Sequence, residues 1–332
     1  MDRLYCTIAE LMDDLTLAGV KNEESLLKHI RSASQFVEQQ LGQFLPRWET
    51  LKFSACGAGE LLVPPLLSIT SITSDGNSLS AGTDYVLKPF ERHWRNGPYS
   101  QIWLYQYGYF SILPEGVVIQ GKWGLYDDTL DLAMTVSAAS SSGTSLAVPD
   151  GSKCSAGMVL MVESEQMLVQ GTGAATDSTA DLNGALDDQA EEFAVTDGTK
   201  IKTGEVIKVD FECMKVLDIQ TNQVLTARGW NESRRASHLT GAQVNVLRTF
   251  TVKRGANGTT AATHTNAEVF QQVAPADVNY LARQVAALMK KKADTGFMGR
   301  SGNDDLGTGF WVNEFPKNQV EVVKSNYFWG GR

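Results

Sequence analysis

An internal repeat in the middle of the chain constrains its fold more than any other feature. The stretch DGSKCSAGMVLMVESEQMLV begins at Asp150, and DGTKIKTGEVIKVDFECMKV begins at Asp197; the two align without a gap. Each copy reads as an Asp-Gly turn, a glycine-marked turn and an alternating apolar strand. In the strand, the phase containing Leu160 and Val162, matched by Ile207 and Val209, is the more apolar one and is expected to face a core. The repeat therefore predicts an all-β module.

A second pair of segments repeats at a different spacing. Arg228 is followed by His238 in the same way that Arg254 is followed by His264. A tandem array would give one constant spacing, so the simplest arrangement is nested. An inner unit at 197–246 would be inserted into an outer unit made of 148–170 and 249–271. Strand exchange between two adjacent copies would give the same order along the chain and stays open.

The repeat supplies the side chains that most invite a chemical interpretation. Histidines could be metal ligands and glutamates could act as general acids or bases. Because each occupies the same position in both units, we instead expect hydrogen bonds that close a loop or turn. The repeat-equivalent structural residues are Asp150, Gly157, Glu165, Met167, Asp197, Gly204, Glu212, Met214, Arg228, His238, Arg254 and His264.

Signals of catalysis or of a bound cofactor are missing from the sequence. The four cysteines are far apart and form no CxxC pair, so zinc-ligand spacing is not present. Phosphate-binding and nucleophile-elbow glycine motifs are not found either. A hydrolase with a nested β domain is disfavoured because no nucleophile–base set is visible. We expect no catalytic residue, no metal and no cofactor.

Helical patterns flank the β-rich middle. Thr7 and Glu10 form a capping-box pattern, and Asn22 can cap a longer helix with an apolar face that ends near Leu41. Alternating segments follow at 48–125, with a hairpin turn plausible at 56–59, and the small polar stretch 135–150 indicates a boundary or a linker. Helical periodicity returns at Pro275, which suits a first turn.

These patterns predict an α+β fold. A small helical bundle with β-hairpins would form a discontinuous core from residues 1–130 and 272–332, and residues 135–271 would form an inserted all-β module of two repeats. A Gly-rich stretch after residue 294 is expected to be mobile. The aromatic segment beyond it could reach a partner. The contact residues proposed there are Phe310, Trp311, Tyr327, Phe328, Trp329 and Arg332.

The net charge of −9 disfavours a duplex-binding role, because an acidic chain gains nothing from counterion release. It still allows DNA to slide past without sequence-specific binding. The N-terminus does not read as a secretory signal, and no apolar run approaches the ~20 residues that span a bilayer. We therefore expect a protein made in the cytoplasm and not inserted in a membrane.

With residues ~130–270 set aside, the remnant resembles a known family. It joins TIAELMDDLTLAGVKNEESLLKHIRSASQFVEQQLG, LLSITSITSDGNSLSAGTDYVLKP, VVIQGKWGLYDD, VAPADVNYLARQVAALMKKKADTGF and FPKNQVEVVKSNYFWGG. In this order the pieces resemble the head–tail connector, or adaptor, family of long-tailed phages. The resemblance covers about half of the chain and rests on helix and hairpin patterns. The insert departs from a minimal family member.

The resemblance implies a structural virion protein at the head–tail junction, or neck, assembled in the bacterial host cytoplasm. Subunits would form a homo-oligomeric ring under the portal protein, with the portal's twelvefold symmetry. The ring would extend the DNA channel and offer a docking surface to a tail or neck protein. An alternative is that the insert is a capsid- or carbohydrate-binding decoration, although Trp230 is its only tryptophan for sugar stacking.

Overall fold

The computed structural model describes residues 2–20, 22–89, 98–105, 108–294, 300–301, 310–311 and 316–327, with only the backbone described at 300–301 and 310–311. Within these residues the fold is α+β, as the sequence predicts. The mobile Gly-rich stretch predicted from the sequence lies almost entirely outside the described residues.

Four helices lie at the two ends of the described chain. They are α1 (Ile8–Leu15), α2 (Glu23–Leu41), α3 (Ala276–Asp294) and α4 (Lys317–Tyr327). The capping box of Thr7 and Glu10 is formed, and the Asn22 side chain accepts from the amide of Ser25, so both predicted helix starts are confirmed. Pro275 precedes α3 and its carbonyl accepts from the amide of Asn279. One apolar core joins α1, α2, α3 and α4.

The segment after α2 forms a sheet that we call the hairpin sheet. Its strands are β1 (Arg47–Phe53), β2 (Glu60–Ser74), β3 (Asn77–Ser78), β4 (Tyr85–Lys88), β5 (Tyr99–Leu104) and β6 (Val117–Trp123). The order is β1-β6-β2-β5-β4, with β3 on β2. The hairpin predicted at 56–59 is therefore wrong: β6 lies between β1 and β2. The turn residues between β1 and β2 do not reveal that β6 pairs with both of these strands and separates them.

The middle of the chain forms two further six-stranded sheets. Their strands in chain order are β7 (Asp128–Ala139), β8 (Ser145–Ala147), β9 (Val159–Val162), β10 (Glu165–Thr172), β11 (Thr176–Asp181), β12 (Glu192–Ala194), β13 (Val206–Val209), β14 (Glu212–Gln220), β15 (Gln223–Trp230), β16 (Gln243–Val246), β17 (Thr249–Lys253) and β18 (His264–Val273). A short pair, β19 (Arg300–Ser301) and β20 (Phe310–Trp311), follows α3.

The two sheets have the same strand order. The outer sheet runs β7-β18-β9-β10-β17-β8, and the inner sheet runs β11-β16-β13-β14-β15-β12. Numbered by position within its own sheet, each is 1-6-3-4-5-2. The fourth and fifth strands carry a register shift at the matched place, after Val169 in the outer sheet and after Val216 in the inner sheet. The inner sheet comes from one continuous segment, 176–246, which lies in the chain between β10 and β17.

The strand phase predicted to face the core is confirmed. Leu160, Val162, Ile207 and Val209 are all fully buried, each in the apolar core of its own sheet. On the opposite face of the outer sheet, Val159 and Leu168 are buried because they pack against the helical core. The outer sheet therefore has one face on its own core and one on the helical core.

The boundaries differ from those predicted from composition. The stretch 135–150 is not a linker: β7 runs through Ala139 and pairs with β18, and β8 pairs with β17. The inner sheet likewise starts at Thr176, ahead of the repeated motif at Asp197. The small polar residues of this stretch occupy exposed strand and turn positions. Their own strand propensity is low, and the strands form because they pair with strands that are distant in the sequence.

Candidate functional site

Glu165 at the start of β10 is the centre of a buried charged cluster. Its side chain is fully buried, and Arg254 donates to both carboxylate oxygens, from Nε and from Nη2, at 2.7 Å each. The backbone amides of Gly255 and Ala262 donate to the same two oxygens at 3.0 Å. The two-pronged arginine contact fixes the geometry as well as the charge.

His264 completes this cluster. Its Nε2 lies 2.8 Å from Glu165 Oε2, and its Nδ1 lies 2.8 Å from Glu163 Oε2. The ring is almost fully buried, whereas the Glu163 side chain is largely exposed. Both ring nitrogens thus face carboxylate oxygens.

Glu212 at the start of β14 has the same surroundings in the inner sheet. Arg228 donates to its two oxygens at 2.7 Å each, from Nε and Nη2. The amides of Gly229 and Ala236 donate at 3.1 and 3.0 Å. His238 lies beside the same carboxylate, with Nε2 3.0 Å from Glu212 Oε2.

The outer nitrogen of His238 also has an acidic partner, since Nδ1 lies 2.8 Å from Asp210 Oδ2. Asp210 occupies the place that Glu163 holds in the outer sheet. The two clusters therefore match in every polar contact of the glutamate and the histidine. These four side chains were predicted from the sequence to have structural roles. In the structure Glu165 lies beside His264, and Glu212 lies beside His238.

The remaining N–H groups of each arginine, on Nη1 and Nη2, tie separate loops together. Arg254 donates to the carbonyl of Ala262 at 2.5 Å, and also to the carbonyls of Ser140 and Gly143. Arg228 donates to the carbonyl of Ala236 at 2.8 Å; its Nη1 donates to carbonyls in the loop before β12, at Asp187 and Ala190. Each arginine thus joins three parts of its own sheet, whose strands are counted here in chain order. These parts are the turn before the second strand, the fourth strand and the loop before the last strand.

The hydrogen bonds decide the ionisation of both glutamates. Burial alone would raise the pKa of Glu165, but donation from Arg254, from backbone amides and from His264 outweighs it and holds the pKa at about 2. The same balance, with Arg228 and His238 as donors, holds the pKa of Glu212 at about 2. Both carboxylates are ionised at neutral pH and have all their oxygens occupied, so the arrangement can close loops but leaves no free acceptor for a substrate.

The other repeat-equivalent residues also have matched structural positions. Asp150 accepts from the amide and hydroxyl of Ser152, and Asp197 accepts in the same way from Thr199, at 3.0 and 2.6 Å in both cases. Each aspartate caps a short 3-10 helix. The matched glycines have positive φ, 96° at Gly157 and 86° at Gly204, as the turn before each strand requires. Met167 and Met214 are fully buried in the two sheet cores.

The cluster that joins the two sheets was not predicted from the sequence. Glu205 in the inner sheet is fully buried and receives Arg248 at 2.6 and 2.7 Å. It also accepts from the amide of Gly151 in the outer sheet, at 3.0 Å. A signal was present: Glu205 stands where the first copy of the repeat has the apolar Met158. A carboxylate at a position that is apolar in the other copy indicates that the carboxylate has a polar or charged partner in its own copy.

The predicted partner-contact residues are only partly described. The backbones of Phe310 and Trp311 form β20, while Phe328, Trp329 and Arg332 lie outside the described residues. Tyr327 also has contacts within its own chain. Its ring packs edge-on against Phe44, with centroids 4.9 Å apart, and its hydroxyl donates to Asp277 at 2.8 Å. Tyr327 is therefore a partly buried residue that packs against the helical core.

Within the described part of the chain, no group of three or more His, Cys, Asp or Glu side chains is arranged to hold a metal ion. No helix described here is long and apolar enough to cross a membrane. Comparisons of the whole chain with known protein families, with curated proteins and with solved structures find no match.

Proposed function

We propose that this chain is a structural assembly protein, a ring-forming head–tail connector that docks under a phage portal. One observation carries the proposal: the helical pieces that resemble the connector family pack into one core although the insert separates them in sequence. Asn279 of α3 donates to the carbonyl of Tyr5 at 2.8 Å and to Glu10 at 3.1 Å. The α2 and α3 helices share the apolar core. The two ends of the chain therefore pack together as an interrupted connector core requires, and Ala156, Val159, Leu168 and Ala256 of the insert pack against the same core.

We further infer that the two sheets in the insert are copies of one ancestral unit, one inserted into the other between β10 and β17. The shared strand order, the matched register shift and the two matched Glu–Arg–His clusters support this. The inner sheet is built from one uninterrupted segment, 176–246. That continuity favours insertion over strand exchange, which would draw strands of each sheet from separated segments.

Rigidity links these features to the proposed task. A ring subunit must hold its contact surfaces in fixed positions while DNA passes, and it needs no cofactor. The Glu205–Arg248 pair and the bond from Gly151 fix the inner sheet on the outer sheet. The Glu23 carboxylate accepts from the amide and hydroxyl of Thr172, which fixes the outer sheet on α2. Buried, paired charges of this kind favour one arrangement over alternatives.

The partners follow from the same proposal. The subunit would form a homo-oligomeric ring, twelvefold where it meets the portal, and present a surface to a tail or neck protein. The net charge of −9 suits a channel that DNA passes without sequence-specific binding. The protein would reside in the virion neck after assembly in the host cytoplasm.

The proposal is tested with the purified chain, alone and mixed with a portal protein from the same phage. Native mass spectrometry should show a closed oligomer of the 36.2 kDa chain, and negative-stain microscopy should show rings that sit coaxially on the portal. Portal alone is the control. A chain that stays monomeric over the accessible concentration range and does not bind the portal would overturn the proposal.

A further inference from the structure

Three Asn-Gly pairs occur in the sequence, and the structure describes two of them. They are Asn183-Gly184 in the inner sheet and Asn257-Gly258 in the outer sheet; the pair at 96–97 lies outside the described residues. An asparagine followed by glycine is open to an intramolecular reaction, in which the next backbone nitrogen attacks the side-chain amide carbon. Glycine favours the attack because it has no Cβ and its backbone is permissive. The surroundings of each pair then decide whether the reaction occurs.

The pair in the inner sheet is exposed and unrestrained. Asn183 and Gly184 are both solvent-exposed, and a side chain built on Gly184 would meet nothing within 4 Å. Among the residues that the structure describes, neither the Asn183 side chain nor the Gly184 amide has a hydrogen-bond partner. The attacking nitrogen and the carbon that it attacks are therefore free to approach each other.

The pair in the outer sheet is held in place by its neighbours. Asn257 is 5% exposed, and its side-chain nitrogen donates to Gln166 at 2.7 Å. A Cβ built on Gly258 would overlap the carbonyl oxygen of Trp48, so the backbone here is pressed against β1. The attack would require the Asn257 side chain to leave Gln166 and the backbone to move away from β1. The same dipeptide is thus free in one sheet and restrained in the other.

The backbone on either side of the exposed pair is fixed. The amide of Asn183 donates to a carbonyl of β12 at 2.9 Å. Beyond the glycine, Leu186 and His238 exchange two backbone hydrogen bonds, of 3.0 and 2.7 Å. The His238 ring contacts the buried carboxylate of Glu212 at 3.0 Å. Only the short stretch 184–185 therefore separates Asn183 from a residue that is bonded to the inner charged cluster.

We propose that Asn183 is a site of spontaneous deamidation and that the fold protects Asn257 from the same reaction. The Gly184 nitrogen forms a bond to the side-chain amide carbon of Asn183, and the bond from that carbon to the amide nitrogen breaks. The amide proton of Gly184 ends on the departing ammonia, and a cyclic imide remains. Water then opens the imide at either carbonyl. One product is aspartate; the other is isoaspartate, in which the main chain runs through the side-chain methylene.

The isoaspartate product lengthens the backbone by one methylene between two fixed points. The bond to β12 precedes the added atom, and the paired bonds of Leu186 and His238 follow it. The added atom lies directly before the link to His238, so we expect isoaspartate to weaken the Leu186–His238 bonds. Aspartate at position 183 adds the same charge with an unchanged backbone, so we expect it to leave these bonds intact.

The two pairs serve as controls for each other in one experiment. The purified chain is incubated in mildly alkaline buffer, folded or in urea, and tandem mass spectrometry follows each asparagine. Electron-transfer fragmentation separates isoaspartate from aspartate. In the folded chain Asn183 should convert faster than Asn257 by at least about tenfold, because the buried pair reacts only through local opening. In urea both pairs have the same freedom, so their rates should be similar.

Two variants separate backbone length from charge. Asn183→Gln, incubated like the wild type, removes the reactive asparagine, and freshly purified Asn183→Asp carries the charge without the added methylene. Hydrogen exchange at the amides of Leu186 and His238 reports the link to the charged cluster. We expect the incubated wild type to lose protection at these two amides and both variants to keep it.

Three results would count against the proposal. Equal rates at Asn183 and Asn257 in the folded chain, or an Asn183 that keeps its amide while the chain in urea loses it, would overturn the modification site. Unchanged protection at His238 in a chain rich in isoaspartate would overturn the link to the charged cluster. Lost protection in fresh Asn183→Asp would overturn the role of backbone length. None of these measurements depends on ring assembly, so the proposed connector function is tested separately.

Discussion

Arg254 and Glu165 are joined by two parallel N–H···O bonds of 2.7 Å, although 89 residues separate them in the chain. The whole inner sheet lies in that interval. The pair therefore closes the outer sheet around an insertion, and its counterpart, Arg228 with Glu212, closes the inner sheet over 16 residues. The same arginine–glutamate contact therefore joins residues that are far apart in sequence in the outer sheet and close in sequence in the inner sheet.

Breaking the long-range pair should destabilise the chain strongly. Replacing Arg254 with methionine leaves the Glu165 carboxylate buried without its main partner, which typically costs about 3–5 kcal/mol. Urea unfolding followed by circular dichroism measures the loss. The control is Glu163→Gln at the exposed end of the same cluster, expected to cost under about 1 kcal/mol. Equal effects of the two substitutions would mean that burial of the pair does not control stability.

Stability should fall steeply in acid because of the two buried glutamates. Their folded-state pKa of about 2 lies below the unfolded value of about 4.3. The stabilisation is therefore fully present above about pH 4.3 and is lost as the pH falls through about 2, at about 3 kcal/mol for each group.

Unfolding free energies measured between pH 5 and pH 2 test this slope. A Glu212→Gln variant has one such group fewer, so its free energy should decline less steeply over the same range. A decline identical to that of the wild type would contradict the assignment of the acid sensitivity to these carboxylates.

The outer sheet should fold without the inner one. The amide of Gly173 donates to the carbonyl of Thr249 at 2.7 Å, so the two ends of the insertion are adjacent. Deleting residues 174–248 and joining the ends through a short Gly-Ser linker should leave a cooperatively folding protein. The comparison is deletion of 195–246, which keeps β11 and β12 without their partners and should aggregate. If only the second deletion folds, the division between the sheets is placed wrongly.

Helix α4 should contribute to the stability of the single chain. Val323 is buried against the helical core, whereas its neighbour Val322 is 59% exposed. Val323→Ala should cost about 1–2 kcal/mol and Val322→Ala close to nothing. Tyr327→Phe should cost about 1 kcal/mol through the lost bond to Asp277. Thermal unfolding of dilute protein measures all three, and indistinguishable midpoints would show that α4 is not packed in the free chain.

Local sequence determined the helices and the faces of the strands. Thr7 and Glu10 specified a helix start because both partners of the capping box lie within one turn. The period-2 pattern around Leu160 and Ile207 identified the core face because alternation is a property of a single strand. The matched Glu, Arg and His positions were visible as a repeat, and their shared position indicated a structural role.

Strand partners and module boundaries were decided only by the tertiary structure. Nothing between Cys56 and Gly59 shows that β6, some sixty residues later, separates β1 from β2. The polar stretch 135–150 gives no local sign that β7 and β8 pair with strands beyond residue 248. The sequence around Tyr327 gives no local sign that its ring packs against Phe44. Pairing and packing depend on which distant segments come into contact. A local sequence pattern does not contain the identity of its distant partner.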